Sequence, residues 1–145
     1  MVGIIIDIIK IALAIALGLL IGYEREKSHK PAGLRTHILV SVGSALITIV
    51  SLNYFPNDPA RITSAVVTGM GFLGAGTIIA AGKNVIGLTT AASLWVMSII
   101  GIAVGVGEFP LAILTSIIVL AILFIGRIER KEETAKVKKG NQKKK

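Results

Sequence analysis

The side chains able to do chemistry in this chain are few: Asp7, Lys10, Glu24, Arg25, His29, Arg35, His37, Thr89 and Thr90. Asp7 and Lys10 stand three residues apart, so on a helix they share one face and can pair. A carboxylate inside an apolar stretch is a candidate cation or proton site. Asp7 lies only about one turn from the start of that stretch, however, and an interfacial anchor beside a snorkelling Lys10 is the competing reading. Glu24, Arg25 and Arg35 flank a short polar segment. Pro31 suits the opening of a helix near Ala32, because a helix start leaves its missing N–H unbonded in any case. Arg35 would then sit on a rigid turn, able to meet Glu24 in a partly buried pair; the alternative is that all three mark the cytoplasmic surface. Thr89 and Thr90 can cap a helix start, a position that attracts anions rather than cations. Asp7 and Glu24 are the candidate metal ligands. A hard divalent cation needs a cage of oxygens with carboxylate charge, and only Asp7, Glu24, Glu26, Asp58 and Glu108 are available near the apolar segments. A deep Mg²⁺ cage within one copy is therefore not expected, and capping is the expected role of the threonines. No nucleophile and base converge, so neither an enzyme nor a resident cofactor is expected.

The elements that must position these residues are membrane spans. Of 145 residues, 53% are hydrophobic and only 17% charged, with no Cys, whereas a soluble domain carries about a quarter charged residues. The missing thiols exclude disulfides, thiolate zinc and Cys nucleophiles. Five apolar segments near bilayer length follow one another: Ile4–Gly22, His37–Leu52, Ile62–Ala81, Leu88–Val106 and Phe109–Gly126. The fold class predicted is all-α, a polytopic five-helix membrane bundle over residues 1–126, with a basic tail over 127–145 too polar to fold alone. The first segment lacks a basic start and a cleavage site, and is read as a retained helix.

Loop charges fix the expected orientation, since cytoplasmic loops are enriched in Lys and Arg. Arg25, Lys27, Lys30 and Arg35 lie in the first loop, Lys83 in the third, and nine basic residues in the tail, against Arg61 alone in the second loop and none near Gly107. An external N-terminus and a cytoplasmic C-terminus satisfy every loop. The net charge of +8 thus reads as a topology signal and a surface for anionic lipid headgroups, not for nucleic acid.

Lipid gives helices no hydrophobic reason to associate, so small residues must let backbones approach. Ala14, Gly18 and Gly22 supply such a face on the first segment, Ala65, Gly69, Gly76 and Ala80 on the third, and Gly101 with Gly105 on the fourth. The third also contains Gly69, Gly71 and Gly74 in the Gly-x-Gly-x-x-Gly spacing of a dinucleotide loop, yet without the preceding strand or following acid that loop requires. Helix packing, or a helix break around a small ligand, is the better reading. Trp95 reads as a packing or interfacial anchor.

Four blocks, taken together, carry a family resemblance: Gly18-Leu-Leu-Ile-Gly-Tyr-Glu-Arg25, Ala32-Gly-Leu-Arg-Thr-His37, Gly69-Met-Gly-Phe-Leu-Gly-Ala-Gly-Thr77 and Gly87-Leu-Thr-Thr-Ala-Ala-Ser-Leu-Trp95. In order and spacing, over about Ala12 to Ile125, the chain resembles the MgtC/SapB family of bacterial inner-membrane proteins. The resemblance implies a five-helix membrane domain, a part in adaptation to low Mg²⁺ and in acid or intracellular survival, and, in some members, modulation of the ATP synthase. It falls on Glu24, Arg25, Gly33, Arg35 and Thr36, on Gly69, Gly71, Phe72, Gly74 and Gly76, and on Gly87, Leu88, Thr90, Ala91 and Trp95. Two functions follow from it as expectations: an oligomeric Mg²⁺ transporter, with Mg²⁺ as substrate, or a non-transporting regulator that binds a partner membrane complex. The chain departs from the family in ending in a charged tail where many relatives carry a soluble domain. It also has Ala80-Ala81 where relatives often carry charge.

Overall fold

The computed structural model describes residues 2–81 and 84–142, with side chains described over 3–80 and 85–126; Lys83 and Lys143 to Lys145 of the charge argument lie outside these. Five helices form: α1 (Val2–Lys27), α2 (Leu34–Tyr54), α3 (Pro59–Ala75), α4 (Leu88–Val106) and α5 (Phe109–Gln142). The all-α bundle is as expected, and four helices, α1, α2, α4 and the apolar part of α5, are long and apolar enough to cross a membrane.

The third predicted span is the one that changes. Asp58 caps α3 through its carboxylate, which accepts from the Arg61 N–H, and Pro59 fills the first helical position. The helix therefore starts earlier than Ile62. It stops at Ala75, where glycine removes helix propensity, and Thr77 folds back with both its N–H and its hydroxyl on the Gly74 carbonyl. The residues predicted to end the span instead form strand β1 (Ile79–Ala81), which pairs antiparallel with β2 (Asn84–Ile86) from the polar turn beyond it, Ile79 opposite Ile86. At 17 residues, α3 is about 25 Å long.

Helix α2 is the centre of the bundle, packed along α1 on one side and α4 on the other, while α3 and α5 lie outside. The core is drawn from Ala14, Leu17 and Ile21 of α1, Ala45 of α2, Met97, Ile100 and Val104 of α4, and Ala112 and Leu123 of α5. Leu39, Ile4 and Ile122 stand 72%, 68% and 60% exposed, a surface suited to lipid rather than water. Helix α5 does not stop at Gly126 but continues to Gln142, because the Glu, Lys, Arg and Ala of the tail are strong helix formers.

Candidate functional site

At the end of the bundle carrying the first loop, α1 runs to Lys27, so Glu24 and Arg25 occupy its last turn rather than a loop. Their side chains are nearly buried, at 11% and 3% exposure, and the Arg25 guanidinium meets Glu24 Oε2 at 2.5 Å. Ser28 donates to the other carboxylate oxygen at 2.8 Å. This corrects the expected Glu24 to Arg35 pair. The last turn of α1 turns Arg25 inward, while α2 begins only at Leu34, leaving Arg35 exposed. Glu26 instead secures the next helix. Its Oε2 accepts the Leu34 N–H at 2.9 Å, closing the start of α2 where Gly33 has no side chain to do so.

Beneath the ion pair lies His37, fully buried and within reach of both its charges. Nδ1 sits 2.9 Å from the Gly33 carbonyl, which only accepts, so Nδ1 carries the proton. Nε2 lies 3.2 Å from the Ser93 hydroxyl of α4, which also has the Thr90 carbonyl at 2.8 Å. From His37 a polar stripe continues down α2 through Ser41, Ser44, Thr48 and Ser51, each at most 3% exposed. Steps of four and three keep the five residues on one helical face. Thr48 returns its hydroxyl to the Ser44 carbonyl, and Ser51 donates to the Pro59 carbonyl at the far end. Ser41 Oγ is the one side-chain polar atom fully enclosed without a partner among the described residues.

Opposite this stripe stand the glycines of α4. A Cβ on Gly101 would lie 2.5 Å from the Ser41 carbonyl, and one on Gly105 2.6 Å from Thr48 Cβ. On the other side, a Cβ on Gly18 or Gly22 would lie 2.8 Å from the backbone of Ile38 or Leu34. The small residues predicted on α1 and α4 therefore do set close approach, with α2 as shared partner. The seam is closed by backbone contact, and it lines up hydroxyls and carbonyls without a carboxylate.

The other predicted residues fall elsewhere. Gly69 and Gly71 have open space where a Cβ would be, so these two do not pack the bundle, against expectation, whereas Gly74 is buried in ordinary contact with Ala91 of α4. They lie on a continuous helix with no strand before it, unlike a dinucleotide loop, and the helix gives way at Gly76. Phe72 beside them is 86% exposed. Thr36 is half-buried and Trp95, at 43%, faces outward. Gly87, not Thr89 or Thr90, caps α4, in a left-handed conformation of φ 97° and with no side-chain cap bond. A Cβ there would fall 1.9 Å from the Thr77 carbonyl oxygen, so only glycine fits. At the far end Lys10 does not pair with Asp7. Its Nζ donates to the Gly105 carbonyl at 2.8 Å, where the end of α4 presents unbonded carbonyls and negative dipole, while Asp7 faces Asn53. Asp7 and Glu24 thus lie at opposite ends, and among the described residues no three His, Cys, Asp or Glu side chains gather into a metal site.

Sequence reasoning missed the buried stripe of α2. Its signal is legible: polar residues at 37, 41, 44, 48 and 51 recur with helical period inside an otherwise apolar span.

The profile of the MgtC family matches residues 11–131. Over 122 residues the chain is 47% identical to "Putative magnesium transporter YhiD" of Escherichia coli (strain K12), covering 78% of this chain and 56% of the relative. It is 45% identical over 113 residues to "Protein MgtC" of Salmonella typhimurium (strain LT2), covering 78% and 49%, and 37% identical over 135 residues to "Protein SapB" of Bacillus subtilis (strain 168), covering 86% and 58%. The chain spans about half the length of these curated relatives. No solved structure matches it significantly. Together with its apolar helices of bilayer length, this likeness makes it a multi-pass protein of the bacterial inner membrane, and the chain belongs to the MgtC family.

Proposed function

We propose that the chain serves Mg²⁺ homeostasis as an oligomeric transporter, its basic end toward the cytoplasm and its copies joined through α3. The name carried by the Escherichia coli relative supports the cation. The observation that carries the assembly is the open face of α3: Gly69 and Gly71 meet nothing within 4 Å in one copy, whereas small residues in membrane helices serve close approach. A path within one copy is disfavoured, because the α2 seam is closed at Gly101 and offers a dication no carboxylate. The path therefore runs between copies, beside α3.

A second reading, a non-transporting regulator that docks a partner's membrane helices on the same face, is favoured by the Glu24 carboxylate being already neutralised by Arg25. Reconstitution of purified protein in liposomes containing a Mg²⁺-sensitive dye separates the two. Flux above that of empty liposomes supports transport. No flux, together with a membrane protein that co-purifies, supports regulation. Unchanged growth in low Mg²⁺ after deletion of the gene would overturn both.

A further inference from the structure

The buried stripe of α2, from His37 through Ser41, Ser44 and Thr48 to Ser51, runs about 21 Å at 1.5 Å per residue, most of the depth of a hydrocarbon core. Small size alone would account for serines where helices approach closely. Two features of the stripe go beyond packing. The first is Ser41. Thr48, Ser93, Ser98 and Ser116 each return their hydroxyl to a carbonyl three or four residues back in their own helix, whereas Ser41 makes no such bond, and its fully enclosed Oγ has no partner among the described residues. A buried hydroxyl in that state carries an uncompensated desolvation cost, which alanine, no larger, would avoid. The second is His37. Its Nδ1–H is held by the Gly33 carbonyl, and at the other nitrogen the Ser93 hydroxyl has one proton and two acceptors in reach, Nε2 at 3.2 Å and the Thr90 carbonyl at 2.8 Å. With a neutral ring Ser93 donates to Nε2; once Nε2 is protonated, Ser93 accepts from it and turns its own proton to Thr90. Both states of the ring are hydrogen-bonded by the same heavy atoms. The charges facing the ring are Arg25 and Glu24 of α1, themselves paired; α4 carries no charged residue, and Arg35 of α2 is exposed.

We propose that the α2 stripe is a proton path, with His37 as the proton-binding residue at the basic end and Ser41 as the first hydroxyl of a relay that ends at Ser51. Neighbours on one helical face have Cβ atoms about 5–6 Å apart, the span of one water making two hydrogen bonds of about 2.8 Å. A single water entering between each pair completes the chain, and the unpaired Ser41 Oγ is the first to bind one. Each hydroxyl takes a proton on its oxygen and gives up its own, so no group is consumed. A metal cation needs a cage of oxygens, for which the contacts at Gly101 and Gly105 leave no room; a proton needs only the hydrogen bonds. The path lies within one copy and is separate from the Mg²⁺ path proposed between copies.

The test uses the full chain in liposomes loaded with a pH-sensitive dye, in Mg²⁺-free buffer, with a potassium gradient and valinomycin setting the potential. Proton flux above that of empty liposomes is expected. Ser41→Ala, which keeps the packing and removes the hydroxyl, should slow it about tenfold, the scale of one hydrogen bond to a charged group. His37→Gln, which can hydrogen-bond but not take up a proton, should bring it to background. No flux above empty liposomes, or flux unchanged in either variant, overturns the path. Should His37→Gln fail to fold, Ser44→Ala decides in its place: about tenfold slower flux supports the relay, and unchanged flux refutes it. With no Mg²⁺ in the assay, failure of the proton path leaves the Mg²⁺ reading standing, and a protein that moves protons but not Mg²⁺ would separate the two the other way.

Discussion

The glycines of α1 and α4 and those of α3 look alike in the sequence, yet they meet opposite surroundings. Gly18, Gly22, Gly101 and Gly105 lie where a single added carbon would strike the α2 backbone or its side chains, while Gly69 and Gly71 lie where it would strike nothing. Small residues in a membrane helix thus announce close approach without naming the partner. In α1 and α4 the partner is α2 of the same copy; in α3, Gly69 and Gly71 meet none within the copy.

Substitutions in the two regions can break or sharpen this contrast. The largest effect belongs to the ion pair at the rim of the packed region. Arg25→Ala strands the nearly buried Glu24 carboxylate and is expected to lower stability by ~3–5 kcal/mol. Arg35→Ala, at an exposed site, should stay within ~0.5 kcal/mol, and equal losses in chemical unfolding would return Glu24 to Arg35. Next comes Gly101→Leu, which overfills the α2 to α4 contact and should cost ~1–3 kcal/mol or more; unaltered thermal stability in detergent would deny the close approach. Ser41→Ala removes a buried hydroxyl that has no partner and should raise stability by ~1 kcal/mol, so a loss of that size would mean that the hydroxyl is bonded in the membrane. The smallest change is Gly71→Leu, within ~0.5 kcal/mol for an isolated copy but reducing the oligomer fraction by cross-linking. If the oligomer persists, α3 is not its contact.

Helix type, number and order were legible because bilayer-length apolar runs and loop charges are strong, redundant signals. The end of α3 was not, since Gly76 to Ala81 is apolar enough to prolong a span and hydropathy ignores propensity. Of the rim, the residues were legible and their partners were not. Glu24 has Arg25 next in sequence and Arg35 across a turn, and the choice depends on how far α1 continues and which way its last turn faces. The hydroxyl stripe of α2 was written in the sequence at helical spacing, but serine and threonine depress hydropathy only slightly and so leave the span intact. Lys10 was misassigned to Asp7 because its acceptor, the Gly105 carbonyl, is a backbone group 95 positions away.

The shortness of α3 has a consequence for the bilayer itself. A hydrocarbon core is ~30 Å thick, so a helix of about 25 Å leaves a hydrophobic mismatch of roughly 5 Å on one flank of each copy. The lipid there must thin, at a fraction of a kcal/mol per Å, and the other long helices hold the opposite flank at full thickness. Two copies turned with α3 face to face share one dimple instead of making two. For the proposed assembly through α3, the membrane would add an attraction between the surfaces that the open glycines leave bare, one that depends on lipid chain length and weakens in thinner bilayers.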